Sequence, residues 1–197
     1  SYLLIGYSNA RQSARRAALQ ALIVTTAGGL AMFIGLVMLG NLAGTYLISQ
    51  IVDTAPTWLV GADPGYLAAV VVLVLVGAGS KSALFPLHFW LPGAMAAPTP
   101  VSAFLHAAAM VKAGIYLIAR LAPVLAPVQP WLPMVLGLGL FTMLFGGYAA
   151  LKQHDLKLIL AYGTISQLGF LAAVVGLGTP DALYAGLAMM VAHSLFK

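Results

Sequence analysis

Residues 70–86 read VVVLVLVGAGSKSALFP and combine a long apolar run with a lysine and a proline. The run from about Tyr66 to Lys81 approaches the roughly 20 residues that a helix needs to cross a bilayer. Pro86 cannot donate a hydrogen bond to the carbonyl of Ser82, so the helix should break beside the lysine. Because broken backbone at membrane depth is tolerated only inside protein or beside water, the stretch predicts a transmembrane helix that lines a polar cavity.

The composition extends this prediction to the whole chain. Of the 197 residues, 62% are hydrophobic and 7% are charged, and the mean hydropathy is +1.01, whereas a soluble domain has about 25% charged residues. Lipid must therefore be the solvent for most of the surface. The net charge of +5 comes from scattered basic residues, which fits membrane topology better than nucleic-acid binding. Cysteine is absent, and no pattern indicates a cofactor or metal site.

Hydropathy divides the chain into six predicted membrane spans. An apolar segment over 46–52 is too short to cross and should lie at the membrane interface. Residues 2–5 have the pattern of the last turn of a helix that begins earlier, and residues 196–197 stop within an apolar run without a cap, so we expect an internal fragment of a longer protein. We predict an all-α polytopic transmembrane bundle with a broken helix near Lys81–Pro86, forming one transmembrane domain over 1–197. The predicted spans cover roughly 16–40, 66–81, 101–121, 132–151, 156–177 and 182–197.

The loop charges predict an orientation, because successive loops must alternate between the two sides of the membrane. Basic residues accumulate on one side, which should be cytoplasmic in a multi-pass protein of the cell membrane. That side holds Arg11, Arg15, Arg16, Lys152 and Lys157, and the other side holds Asp53, Asp63, Arg120 and Asp181.

Several lysines and histidines lie inside the predicted spans or beside their ends. A charge at the centre of a membrane helix costs about 2.5–3.5 kcal/mol, and such residues are by default candidates for an ion pathway. The candidate proton-transfer residues are Lys81, His88, His106, Lys112, Lys157, His193 and Lys197.

Lys81 and His88 flank the predicted break. Lys81, placed among serines at a broken helix, favours an ion site, although a lysine near a helix end can also extend to the interface. His88 follows seven residues later and would share the face of Lys81 if the helix were continuous. With a reference pKa of about 6.5, its imidazole can relay protons between water and a buried amine. A hydrogen-bonded interfacial histidine is the structural alternative.

Two further pairs lie deeper in the predicted spans. His106 and Lys112 are six residues apart, so they face different sectors of the third span. A lone histidine such as His106 can also be a satisfied core residue. His193 and Lys197 are spaced i, i+4 and share one face. Two cations so close would repel in a low dielectric, so we predict that this pair shares one proton with ordered water.

The last lysine and the acidic residues raise a different point. Lys157 opens the fifth span just after Asp155, a suitable capping residue, and this position alone favours a charge that sets topology. The chain contains no glutamate, and its four aspartates lie in loops or at helix ends. A buried lysine needs an anion or water to stay charged, so we expect the acidic partner of Lys81 outside this chain.

A resemblance adds to these inferences. Residues 81–106, KSALFPLHFWLPGAMAAPTPVSAFLH, closely resemble the signature of antiporter-like subunits, which occur in Mrp-type cation/proton antiporters and in respiratory complex I. The similarity continues through 107–120, 155–169 and 193–197. His88 and Lys112 look more like the large antiporter-like subunit of the Mrp type than like the complex I subunit.

The resemblance implies a fold with two inverted five-helix repeats, each with a broken helix and a key lysine, the first matched by Lys81. It implies that the glutamate partner precedes the position of Ser1, and that His106, Lys157 and Lys197 lie on a central polar axis. The implied function is proton translocation coupled to sodium export, without catalysis or cofactors, among other membrane subunits. The alternative is the proton-pumping membrane subunit of NADH:quinone oxidoreductase. A membrane scaffold is disfavoured, because it has no use for intramembrane lysines.

Overall fold

The computed structural model describes residues 2–8, 10–105 and 110–197, and within these ranges all regular structure is helical. The all-α fold predicted from the sequence is therefore confirmed. The elements are α1 (Tyr2–Ile5), α2 (Gln12–Ala43), α3 (Ile48–Asp53), α4 (Ala55–Leu59), α5 (Pro64–Lys81), α6 (Trp90–Gly93) with a 3₁₀ turn at Ala94–Ala96, α7 (Thr99–Ala103), α8 (Met110–Leu125), α9 (Trp131–Leu151), α10 (Leu156–Gly176) and α11 (Pro180–Phe196).

Four helices of the described chain are long and apolar enough to cross a membrane, namely α2, α5, α9 and α10. They coincide with four of the six predicted spans. The last predicted span corresponds to α11, which has 17 residues. The third predicted span is described on both sides of 106–109: α7 ends at Ala103 and α8 begins at Met110, and 106–109, including His106, lie outside the described residues. The short segment predicted at the interface forms α3, followed directly by α4.

Two closely packed helix pairs, α2 with α5 and α9 with α10, flank the buried helix α8. Without a hydrophobic driving force between them, membrane helices pack best where small residues let their backbones approach. Gly139 of α9 is one such residue, because a Cβ there would lie 2.8 Å from the Gly169 carbonyl oxygen of α10. Packing of this kind holds the faces of α8, α10 and α11 in one bundle.

Helix α5 ends at Lys81. This is earlier than the missing hydrogen bond from Pro86 to the Ser82 carbonyl would by itself require. Ala83 has a left-handed backbone with φ of 51°, and the Leu84 N–H donates to the Gly79 carbonyl at 2.9 Å. This is the bonding pattern of a Schellman helix end, although the left-handed position usually carries glycine. The predicted break is present, and the chain has already left the helical path before it reaches Pro86.

The segment after the break is fastened on both sides. The Trp90 indole N–H donates to the Ser80 carbonyl at 3.0 Å, which satisfies an acceptor that the helix end leaves open. The Phe85 N–H donates to the Thr142 hydroxyl of α9 at 3.0 Å. Hydrogen bonds from two directions therefore hold the backbone of the break in place.

Two aspartates act as helix caps. The Asp63 carboxylate accepts a hydrogen bond from the Tyr66 N–H at 2.8 Å at the start of α5. The Asp155 carboxylate accepts one from the Lys157 N–H at 2.7 Å at the start of α10, as its sequence position predicts. These carboxylates stabilise helix ends and are held there by backbone hydrogen bonds.

Candidate proton-transfer site

Lys81 lies at the break, partly buried against α2. A Cβ added to Gly29 of α2 would lie 3.9 Å from its Cε atom, so the lysine stem passes over this glycine. Asp63 caps the opposite end of α5, which is 18 residues long and therefore spans about 27 Å. The carboxylate of this helix is thus far from the lysine, and the predicted acidic partner is not supplied by α5.

His88 lies in the segment after the break, among aromatic rings. Its imidazole stacks on Phe85 with ring centroids 5.5 Å apart and meets the edge of Phe145 of α9 at 4.7 Å. Because α5 ends at Lys81, the shared helical face that a continuous helix would create does not exist. His88 is positioned instead by α9.

Lys112 connects α8 to α11. Its side chain is 5% exposed, and its ammonium donates hydrogen bonds to the Met190 carbonyl at 3.2 Å and to the Ser194 hydroxyl. The ammonium of α8 is thus held by a backbone carbonyl and a side-chain hydroxyl of α11. This contact joins residues 78 and 82 positions apart along the chain.

His193 lies on α11 next to Ser194, whose hydroxyl accepts the hydrogen bond from the Lys112 ammonium. His193 is 1% exposed, and Phe196 meets its ring edge-on at 5.3 Å. Neither ring nitrogen has a hydrogen-bond partner among the described residues. A buried imidazole with both nitrogens open can accept or donate a proton through a small rearrangement or an added water.

Lys157 and Lys197 line one cavity of about 120 Å³, on α10 and at the end of α11. The cavity is large enough for several water molecules, and hydroxyls of Ser102 and Thr164 also line it. The Lys157 ammonium donates a hydrogen bond to the Ala97 carbonyl at 3.3 Å. Two lysines from distant parts of the chain therefore line the same cavity.

The structure brings four of the seven predicted residues to α11 and the cavity: Lys112 bonds α11, which carries His193, and Lys197 lines the cavity with Lys157. Lys81 and His88 lie apart from it at the break, and His106 lies outside the described residues.

Sequence reasoning missed three groups that organise the site: the Ser194 hydroxyl, the Thr142 hydroxyl and the Ala97 carbonyl. The two hydroxyls were visible as isolated polar residues in apolar helices, and a carbonyl carries no sequence signal.

Residues 1–197 match the protein family described as the transmembrane domain of NADH:quinone oxidoreductase and Mrp antiporters. The chain belongs to this family. Among curated relatives, it is 48% identical to a probable K(+)/H(+) antiporter A/B subunit of Rhizobium meliloti, covering all of this chain and 19% of the relative. It is 42% identical to a putative antiporter subunit mnhA2 of Staphylococcus haemolyticus, covering all of this chain and 26% of the relative. The chain thus spans about a fifth to a quarter of these relatives.

Solved structures of the family agree with this fold. The Mrp complex from Dietzia sp. DQ12-45-1b matches with a TM-score of 0.91 and 43% identity, over 99% of this chain and 21% of that chain. An archaeal respiratory complex, the membrane-bound sulfane sulfur reductase, matches with a TM-score of 0.86 and 27% identity, over 98% and 39%. The resemblance to antiporter-like subunits, the membrane location and the helical fold are therefore confirmed.

Proposed function

We propose that this family member is the core of a proton-translocating subunit in a multisubunit monovalent cation/proton antiporter. The observation that carries the proposal is the cavity shared by Lys157 of α10 and Lys197 of α11. Two ammonium groups facing one small space repel strongly where the dielectric is low. A single proton that moves between them through water lowers this repulsion, so the cavity suits proton exchange better than permanent double charge.

The proposed pathway continues from the cavity into the bundle. His193 lies one helical turn before Lys197, whose N–H donates to the His193 carbonyl, and beside Ser194, which accepts the Lys112 hydrogen bond. The imidazole can pass a proton between the two amines because each nitrogen serves as donor or acceptor. We place Lys81, His88 and His106 in the same pathway on the resemblance of their sequence motif, with Lys81 as the residue at the break.

The relatives with the higher sequence identity support antiport over respiratory pumping. The relatives at 42–48% identity are described as antiporter subunits, whereas the respiratory complex shares 27% identity. Proton pumping within NADH:quinone oxidoreductase remains the second candidate, because the family description includes it. For the exchanged cation, the resemblance implies Na⁺ and one relative's name specifies K⁺. We further propose that other membrane subunits surround the chain, as in the Mrp complex.

Transport in everted membrane vesicles tests the proposal. The complete complex is expressed in a bacterial strain without its own antiporters, and a fluorescent dye reports the pH gradient when Na⁺ or K⁺ is added. Lys157→Ala and Lys197→Ala should each reduce exchange to below about a tenth, because each removes a proton-carrying group.

Lys152→Ala is the matched control, since Lys152 is exposed and lies over the Tyr148 ring, 4.4 Å from its centroid. Exchange at the original rate in an assembled Lys157→Ala or Lys197→Ala complex would contradict the proposal. Proton translocation that requires quinone reduction and does not depend on Na⁺ or K⁺ would favour the respiratory candidate.

A further inference from the structure

A second surface feature lies on the outer side of α2, away from the lysine cavity. A groove of about 360 Å³ is lined by Arg16, Leu19, Gln20, Ile23 and Val24 of α2 and by Phe89 of the segment after the break. The α2 residues recur at three- and four-residue intervals, so they form one face of that helix. Phe89 is 44% exposed and forms the opposing wall.

The groove is basic at one end and apolar along its length. Arg16 lies near the start of α2, on the side predicted to be cytoplasmic, and is exposed. Leu19 and Ile23 are 51% and 59% exposed. Gln20 is turned towards α6, because a Cβ on Gly93 would lie 3.6 Å from its Oε1 atom. The Arg16 guanidinium therefore lies at one end of an apolar groove.

The dimensions of the groove match one leaflet of a bilayer. From Arg16 to Val24 the helix rises by about 12 Å, while half of the hydrocarbon core measures about 15 Å. An acyl chain lying along Leu19 and Ile23 would thus place its headgroup beside Arg16. Anionic headgroups are abundant in the cytoplasmic leaflet, and basic residues at this depth attract them.

We propose that this groove binds one acidic phospholipid, with an acyl chain against Ile23 and Phe89 and the phosphate on Arg16. A docked helix of another subunit would have to bring a carboxylate for the guanidinium, because covering an arginine without a counter-charge is costly. A phospholipid supplies the apolar chain and the anion in one molecule. The site is separate from the proton pathway and does not depend on the proposed transport activity.

Native mass spectrometry of the complete complex tests the site. The complex is exchanged with phosphatidylglycerol or phosphatidylcholine carrying identical acyl chains, and the retained lipid is counted. Arg16→Gln should lower phosphatidylglycerol retention about fivefold, the effect of one interfacial arginine. Ile23→Trp should lower phosphatidylglycerol retention similarly, because the indole fills the groove while Arg16 remains.

Two matched controls make the outcome decisive. Arg11→Gln removes an exposed arginine on the same side that does not line the groove, and Leu22→Trp adds an indole to an exposed position beside it. Both should retain phosphatidylglycerol at the original level. Equal losses in Arg11→Gln and Arg16→Gln would mean a diffuse surface charge and overturn the proposal. Cross-linking of Ile23→Cys to a neighbouring subunit would also overturn it, since protein would then cover the groove.

Discussion

Lysines lie in two regions of the molecule: Lys81 at the end of α5, and Lys157 and Lys197 at the cavity. The surroundings of these lysines differ. At the end of α5, hydrogen bonds to the Gly79 and Ser80 carbonyls and to the Thr142 hydroxyl hold the backbone. At the cavity, the Lys157 ammonium donates to the Ala97 carbonyl, and Lys157 and Lys197 line a space large enough for water.

This difference separates two tasks that a proton-translocating bundle must perform. A fixed break keeps a lysine at a defined depth without leaving backbone groups unpaired. A cavity of about 120 Å³ has room for water beside the lysines, and that water can rearrange as a proton moves. Perturbing the fixed backbone should therefore affect stability and transport together, whereas perturbing the cavity should affect transport alone.

The largest expected effect is at the fixed region. Lys81→Ala should reduce cation/proton exchange in vesicles to below about one hundredth while the complex assembles, because an essential protonatable group is lost. Lys81→Arg should also fail, since arginine does not release its proton in the working pH range. Wild-type exchange in either variant would remove Lys81 from the pathway.

Thr142→Val tests whether the break depends on its attachment to α9. The change leaves the Phe85 N–H without its acceptor, which costs about 1–3 kcal/mol for a buried donor. We expect a lower Tm of the purified complex and slower transport together. Thr25→Val is the control, because the Thr25 hydroxyl donates to the Ala21 carbonyl of its own helix, at 2.7 Å. Unchanged Tm in Thr142→Val would show that the bond to α9 is not needed and that the remaining contacts, including the Trp90–Ser80 hydrogen bond, hold the segment.

Ser194→Ala tests whether the hydrogen bond from the Lys112 ammonium to the Ser194 hydroxyl contributes to transport. Lys112 would lose one acceptor and keep the Met190 carbonyl, so transport should change about three- to tenfold, the effect of roughly one hydrogen bond, with little change in Tm. Ser166→Ala is matched, since its hydroxyl donates to the Met143 carbonyl of α9 at 2.7 Å. Equal transport in the two variants would argue that Lys112 is purely structural.

The smallest expected effect concerns His88. His88→Ala should slow exchange about twofold and change its pH profile near neutrality, because a group with a reference pKa of about 6.5 is removed. Exchange rates measured from about pH 5 to pH 8, a range around that reference value, test this, with His154→Ala as the control at an exposed loop position. A wild-type profile in His88→Ala would assign His88 to aromatic packing alone.

Local sequence patterns were sufficient for much of the fold. Apolar runs predicted α2, α5, α9 and α10 as spans, because the length of such a helix depends on its own residues and the bilayer thickness. Asp155 was predicted as a cap and acts as one. The break after Lys81 was also predicted, but the left-handed Ala83 places its beginning earlier than Pro86 indicated.

The arrangement of the site depended on tertiary structure. The position of Lys157 alone favoured a charge that sets topology, yet its ammonium reaches the Ala97 carbonyl, 60 residues away, and faces Lys197 across a cavity. The sequence by itself determined the class of protein, the membrane spans and the candidate lysines and histidines, because hydropathy and local hydrogen bonding act over a few residues. Only the packing of α8, α10 and α11 decided which candidates meet, because helix rotation and close approach depend on contacts between distant segments.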